Sequence, residues 1–107
     1  MSKNININLE SVSSVVIKRG DVFSLTKTGE DSDKVSLVES IEGYSITGGV
    51  KSNVSSKNIN FVSGIINGVL YSSVSSDVKV DIKLEVIVPD NFNVDLIANG
   101  KGKYHIN

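Results

Sequence analysis

His105 is the single imidazole in a chain of 107 residues, and so the one side chain whose ordinary pKa suits proton transfer near neutral pH. A working base also needs a group that orients it and a substrate or nucleophile within reach. In the alternating run Lys103-Tyr104-His105-Ile106 it shares a face with Lys103, which is the polar face. The 17 serines invite a search for a nucleophile. No Gly-x-Ser-x-Gly elbow is present, and no Ser-x-x-Lys pair stands in a context that would activate a serine. Asp21, Asp31, Asp33, Asp77 and Asp81 are the oxygen ligands calcium would take, but they do not form an Asp-x-Asp-x-Asp-Gly loop. The nearest approach, Glu30-Asp31-Ser32-Asp33, lacks the following glycine and reads as a solvated tip. Gly48-Gly49 and Gly100-Lys101-Gly102 match neither a phosphate loop nor a dinucleotide fingerprint. With no cysteine there is no disulfide frame and no thiolate zinc site. Asn53-Val54-Ser55 has the form of a glycosylation acceptor, which matters only in a secreted chain. The chain is therefore read as not an enzyme, with no metal and no cofactor.

Charge narrows the partners. Lys plus Arg is 11 against 12 for Asp plus Glu, a net charge of -1, so the clustered positive field that nucleic acid requires is missing. No apolar run approaches the ~20 residues that span a bilayer, and MSKNININLE lacks the apolar centre of a signal peptide. The expected setting is cytoplasmic, or the cell envelope if the chain is a fragment. Lys outnumbers Arg ten to one, and Asn and Ile are frequent while Ala and Pro are nearly absent. Those are the choices of an AT-rich genome, with phages and mobile elements among the candidate sources.

The elements that would carry any site are strands. Sixteen Val and 12 Ile stand against a single Ala and no Gln, which disfavours helix and favours a pleated surface. Ile5, Ile7 and Leu9 alternate with Asn4, Asn6 and Asn8, the period of a half-buried strand. Val15 to Lys18 is a second strand, ending at the turn-like Arg19-Gly20-Asp21, and Phe23 with Leu25 marks a third. Residues 28–34 form a charged tip. Val35 to Ile41 fits a short helix capped by Asp33 or a strand; the poverty of helix formers favours the strand. The clearest element runs from Val78 to Val88, where Val78, Val80, Ile82, Leu84, Val86 and Val88 alternate with charged residues and Pro89 closes the run. Asn67-Gly68 predicts a two-residue hairpin that sets Phe61, Ile65, Leu70 and Val74 on one face. Asn99-Gly100 is a corner instead: including Lys101 in it places Val94, Leu96 and Ala98 on the same side as Gly102, Tyr104 and Ile106.

The order of these signals resembles a bacterial adhesin family, also called the auto-transporter adhesin head domain. The residues that carry the resemblance are Ile5 to Leu9, S-V-V-I-K-R-G-D-V-F-S-L, I-E-G-Y-S-I, V-K-V-D-I-K-L-E-V-I-V-P and F-N-V-D-L-I-A-N-G-K-G-K-Y-H-I. The best-matched stretch is Val78 to Ile106. The resemblance implies a right-handed parallel β-helix, no catalytic residues, and for many members a place at the cell envelope. This chain carries about one Gly-cornered rung after the Val-Pro strand, where the family carries several.

Residues 1–107 are thus expected to form one all-β domain, a short β-helix or solenoid, or a β-sandwich, with an antiparallel meander or Greek-key sandwich as the alternative. The expected function is protein–protein binding without catalysis. One version is a phage or mobile-element inhibitor or modulator of a larger host protein, such as a CRISPR-type defence complex. The other is an adhesin-like structural module. Tyr44, Val62, Ile66, Val69 and Tyr71 form the candidate partner-binding patch, since Tyr71 falls on the opposite hairpin face from Phe61. Open strand edges offer a route to a homo-oligomer.

Overall fold

The computed structural model describes residues 3–51, 57–62, 68–72, 80–99 and 102–106, with 57–62 and 68–72 described by their backbone. Ten strands are found among them: β1 Lys3–Leu9, β2 Ser14–Arg19, β3 Ser24–Thr28, β4 Val35–Ser40, β5 Gly43–Gly48, β6 Lys57–Val62, β7 Gly68–Ser72, β8 Lys83–Val88, β9 Phe92–Ala98 and β10 Gly102–Ile106. The only helical element among the described residues is a single 3-10 turn, Ser32–Lys34.

The strands form two five-stranded sheets, ordered β4-β5-β1-β9-β6 and β3-β8-β2-β10-β7. The two are built alike. The three central strands of each run parallel, and an antiparallel strand closes each side. Successive strands β1 and β2, β8 and β9, and β9 and β10 each lie in opposite sheets, so the chain turns a corner between them. The all-β expectation is met, and the paired sheets are sandwich-like.

Alternation decides what lies between the sheets. Ile5, Ile7 and Leu9 of β1 are buried while Asn4, Asn6 and Asn8 are exposed. Phe92, Val94, Leu96 and Ala98 of β9 face the same interior as Val15, Ile17, Leu84, Val86, Val88, Tyr104 and Ile106 from the second sheet, and all belong to one cluster. Burying each large aliphatic side chain stabilises the fold by about 1.5–3 kcal/mol, so a one-residue slip of any central strand would be heavily penalised. The Asn99 corner behaves as parity requires: Ala98 and Gly102 are both buried on its two sides.

Three expectations need correction. The strand drawn from Val78 begins only at Lys83, and Val78 itself lies outside the described residues. Ile82 is still buried and Val80 partly so, but the Ser13 hydroxyl interrupts the ladder there. It donates to the Val80 carbonyl at 2.7 Å and accepts from the Ile82 N–H at 3.1 Å. The Asn67-Gly68 hairpin is not formed by the described strands, because β6 pairs with β9 and β7 with β10, in different sheets. Parallel pairing to β1 and β2 leaves β9 and β10 each with an uncovered side, and those sides take β6 and β7. Residues 63–67 lie outside the described residues. The charged segment 28–34 is no free tip. Asp31 N–H donates to the Asp81 carbonyl and Glu30 N–H to the Asp81 carboxylate, each at 3.0 Å, and Asp81 N–H returns a bond of 3.0 Å to the Asp31 carboxylate.

A tight hairpin does exist, between β4 and β5. Ser40 pairs with Gly43 across the turn residues Ile41 and Glu42. Gly43 sits at φ 138°, and a Cβ there would collide with the Asn4 carbonyl oxygen.

Candidate functional site

β4 is the outer strand of the first sheet. Its sequence Val35-Ser36-Leu37-Val38-Glu39-Ser40 breaks alternation at Leu37-Val38, so one of two adjacent apolar side chains must face water whichever side is inside. Val35 is buried, Leu37 is 42% exposed and Val38 59%. Ile41, in the turn that follows, is 96% exposed. These three are neighbours along one edge, unlike the other exposed large apolar side chain among the described residues, Val22.

The backbone of this edge can be accounted for residue by residue. Gly49 N–H donates to the Lys34 carbonyl at 3.2 Å. In an antiparallel ladder that turns the even-numbered residues of β4 toward β5 and the odd-numbered ones, Val35, Leu37 and Glu39, away from it. The outward groups of Val35 are already matched. Its N–H donates to the Ser32 carbonyl, and its carbonyl accepts from the Lys27 ammonium at 2.8 Å. No partner among the described residues meets the outward N–H and C=O of Leu37 and Glu39. Strand edges are usually blunted against this kind of exposure, and here the blunting stops after one position.

Charge is divided along the same edge. Lys27 and Lys34 lie at its Val35 end, and Glu39 and Glu42 toward the turn. Lys34 holds Asp31 at 3.5 Å in an exposed pair that contributes no more than about 1 kcal/mol.

Of the five residues anticipated from sequence, Tyr44 is separated from Val62, Val69 and Tyr71 by the intervening strands. Tyr44, on β5, is half-buried. Its ring stacks on Phe23 with centroids 3.7 Å apart and planes 9° apart, and on Phe92 at 6.2 Å, so it closes one end of the interior. Val62 is on β6 in the first sheet, opposite Asn93, with β1 and β9 between β6 and β5. Val69 and Tyr71 are on β7 in the second sheet, opposite His105 and Lys103. Ile66 lies outside the described residues. The β4 edge was the feature missed, and the doublet Leu37-Val38 was its signal.

Two other features have chemical interest. A shallow recess of about 320 Å³ on the outer side of the second sheet is lined by Ser14, Val16, Thr26, Thr28, Lys83 and Glu85. Tyr104 is buried in the interior, and its hydroxyl has no hydrogen-bond partner among the described residues. Burial pushes its ionisation well above the ordinary tyrosine range.

Among the described residues no group of three or more His, Asp or Glu side chains is placed to hold a metal ion, and no helix is long and apolar enough to cross a membrane. No family model, curated relative or solved structure matches the chain.

Proposed function

We propose that this chain is a non-catalytic β module that works by binding protein, with the edge of β4 as its contact surface. The observation that carries the reading is the coincidence of open backbone groups at Leu37 and Glu39 with exposed apolar side chains at Leu37, Val38 and Ile41. Strand addition to such an edge draws affinity from main-chain hydrogen bonds and selectivity from the flanking side chains. In the cell this fits a small modulator that occupies a surface of a larger protein. The AT-rich residue usage supports a phage or mobile-element source, with a host defence complex as one class of target.

The adhesin-like alternative draws on a different observation. Each sheet has a parallel centre, and β8, β9 and β10 pass from sheet to sheet in succession. A short β-helix would be built in this way, and the Val78 to Ile106 resemblance points to the same coil. Gly-cornered rungs encoded on either side of this chain would favour that alternative.

The test is affinity capture from the source host with tagged wild type and a Glu39→Pro variant, read by mass spectrometry and by cross-links to residues 35–42. A protein held by the wild type and released by the variant is the expected result. A protein held equally by both would remove the edge from the reading. A hydrolytic turnover abolished by His105→Ala would overturn the non-catalytic assignment.

A further inference from the structure

We infer that, when no other protein holds the β4 edge, it is taken by β4 of a second copy of this chain, joined antiparallel about a two-fold axis at Val38, so that self-pairing and partner binding compete for one edge. The inference rests on reading β4 as a binding edge and adds the identity and register of what binds there.

The register follows from which backbone groups are open. Two copies related by a two-fold axis normal to the sheet must pair residues of the same face, and only outward-pointing residues can exchange hydrogen bonds. Centring on Leu37 would place Glu39 against Val35, whose N–H and C=O are already taken by Ser32 and Lys27. Centring on Glu39 would place Leu37 against Ile41, which is in the turn. Centring on Val38 sets Leu37 opposite Glu39 of the second copy and Glu39 opposite its Leu37. Every open N–H and C=O on both edges is then used, and none that is already bonded is needed. The Lys27 cap on Val35 falls where the other strand has already turned at Ile41, so it limits the contact without blocking it.

The side chains agree with that register. Val38, already exposed, meets Val38 of the second copy in a non-hydrogen-bonded pair, where side chains approach most closely. Ser36 falls opposite Ser40. Beyond the ladder, the 3-10 turn that carries Lys34 comes beside the other copy's Ile41-Glu42 turn, so the basic end of each edge meets the acidic end of the other. A parallel arrangement would instead set like charges side by side. The contact is short of the area that a tight complex buries, so the dimer is weak, on the order of 0.1 mM.

Sedimentation equilibrium from about 10 μM to about 1 mM covers that range. The average mass is expected to rise from 11.4 kDa toward twice that value. Amide exchange should slow with concentration at Leu37 and Glu39, and remain unchanged at Ser36 and Val38, which already face β5. Val38→Lys alters a side chain that is 59% exposed, so the monomer keeps its fold while two ammonium groups meet across the axis; association should fall at least tenfold. Glu39→Pro removes an N–H that points away from β5 and should act likewise. Glu42→Lys should weaken the dimer, and adding Lys34→Glu should restore it. A chain that stays monomeric throughout, or a dimer indifferent to Val38→Lys, overturns the inference. Host capture released by Glu39→Pro would then still stand for the binding edge with a different occupant.

Discussion

Replacing Tyr104 by Phe should stabilise the protein, although it deletes a polar group from a side chain that is 1% exposed. A hydroxyl buried without a partner costs about 1–3 kcal/mol in protein mutational data. Removing the oxygen recovers part of that cost and leaves a void smaller than a methyl group. The expected net gain at pH 7 is about 1 kcal/mol, or roughly 4–8 °C in Tm for a domain near this size. A second, independent consequence appears in alkali. The folded-state pKa of Tyr104 is raised above that of the unfolded chain by desolvation. Its neutral form is therefore the one the fold holds. The associated stability is fully present below about pH 10 and is lost as pH rises beyond it. At pH 11 the unfolded chain gains about 1.4 kcal/mol from ionising this tyrosine, which the buried ring cannot match. Urea melts of wild type and Tyr104→Phe at pH 7, 9, 10 and 11 measure both effects. The two proteins differ at this one position, so the difference between their melts isolates the Tyr104 hydroxyl. The gap between the two proteins should be small at neutral pH and widen steadily above pH 10. A variant less stable than wild type at pH 7, or two parallel curves from pH 9 to 11, would show that the hydroxyl is bonded or hydrated and would refute the reasoning.

Three further substitutions probe the interior and its border. Ile82→Asp or Leu84→Asp should abolish folding, since each places an unpaired carboxylate at a site 0% or 3% exposed, and circular dichroism would report the loss of strand signal. Unchanged melting of both would mean that the wrong face of residues 82–88 has been assigned to the interior. Ser13→Ala should cost about 1–3 kcal/mol in urea denaturation, because the Ile82 N–H and the Val80 carbonyl lose a shared partner. A loss below about 0.5 kcal/mol would show that water replaces the hydroxyl there.

Local alternation was readable because burial on one face leaves a period of two in the chain. β1, β8 and β9 carry it cleanly, and parity even set Gly102, Tyr104 and Ile106 on the interior side of the corner after Ala98. Partner choice was not readable in the same way. Asn67-Gly68 has strong turn chemistry, yet β6 and β7 are drawn apart to strands β9 and β10, which are more than 20 residues further along. Conversely the Ile41-Glu42 turn lacks an Asn-Gly pair, and what marks it is the glycine just after, pressed against β1. The candidate patch rested on β6 and β7 being one hairpin, and pairing of those strands to β9 and β10 removes that premise; where the open edge of β4 begins is set by a lysine eight residues earlier in the chain reaching back to Val35, which no local pattern announces.

β1 sits between β5 and β9, and β2 sits between β8 and β10. Residues 3–19 therefore have no complete set of lateral neighbours until residues 92–106 have emerged and docked. A nascent or C-terminally truncated chain would display two apolar central strands with bare flanks, the condition that most invites misassembly during synthesis. A topology closed by pairing of such distant segments is expected to fold slowly, with the exposed interval lasting until β9 and β10 dock.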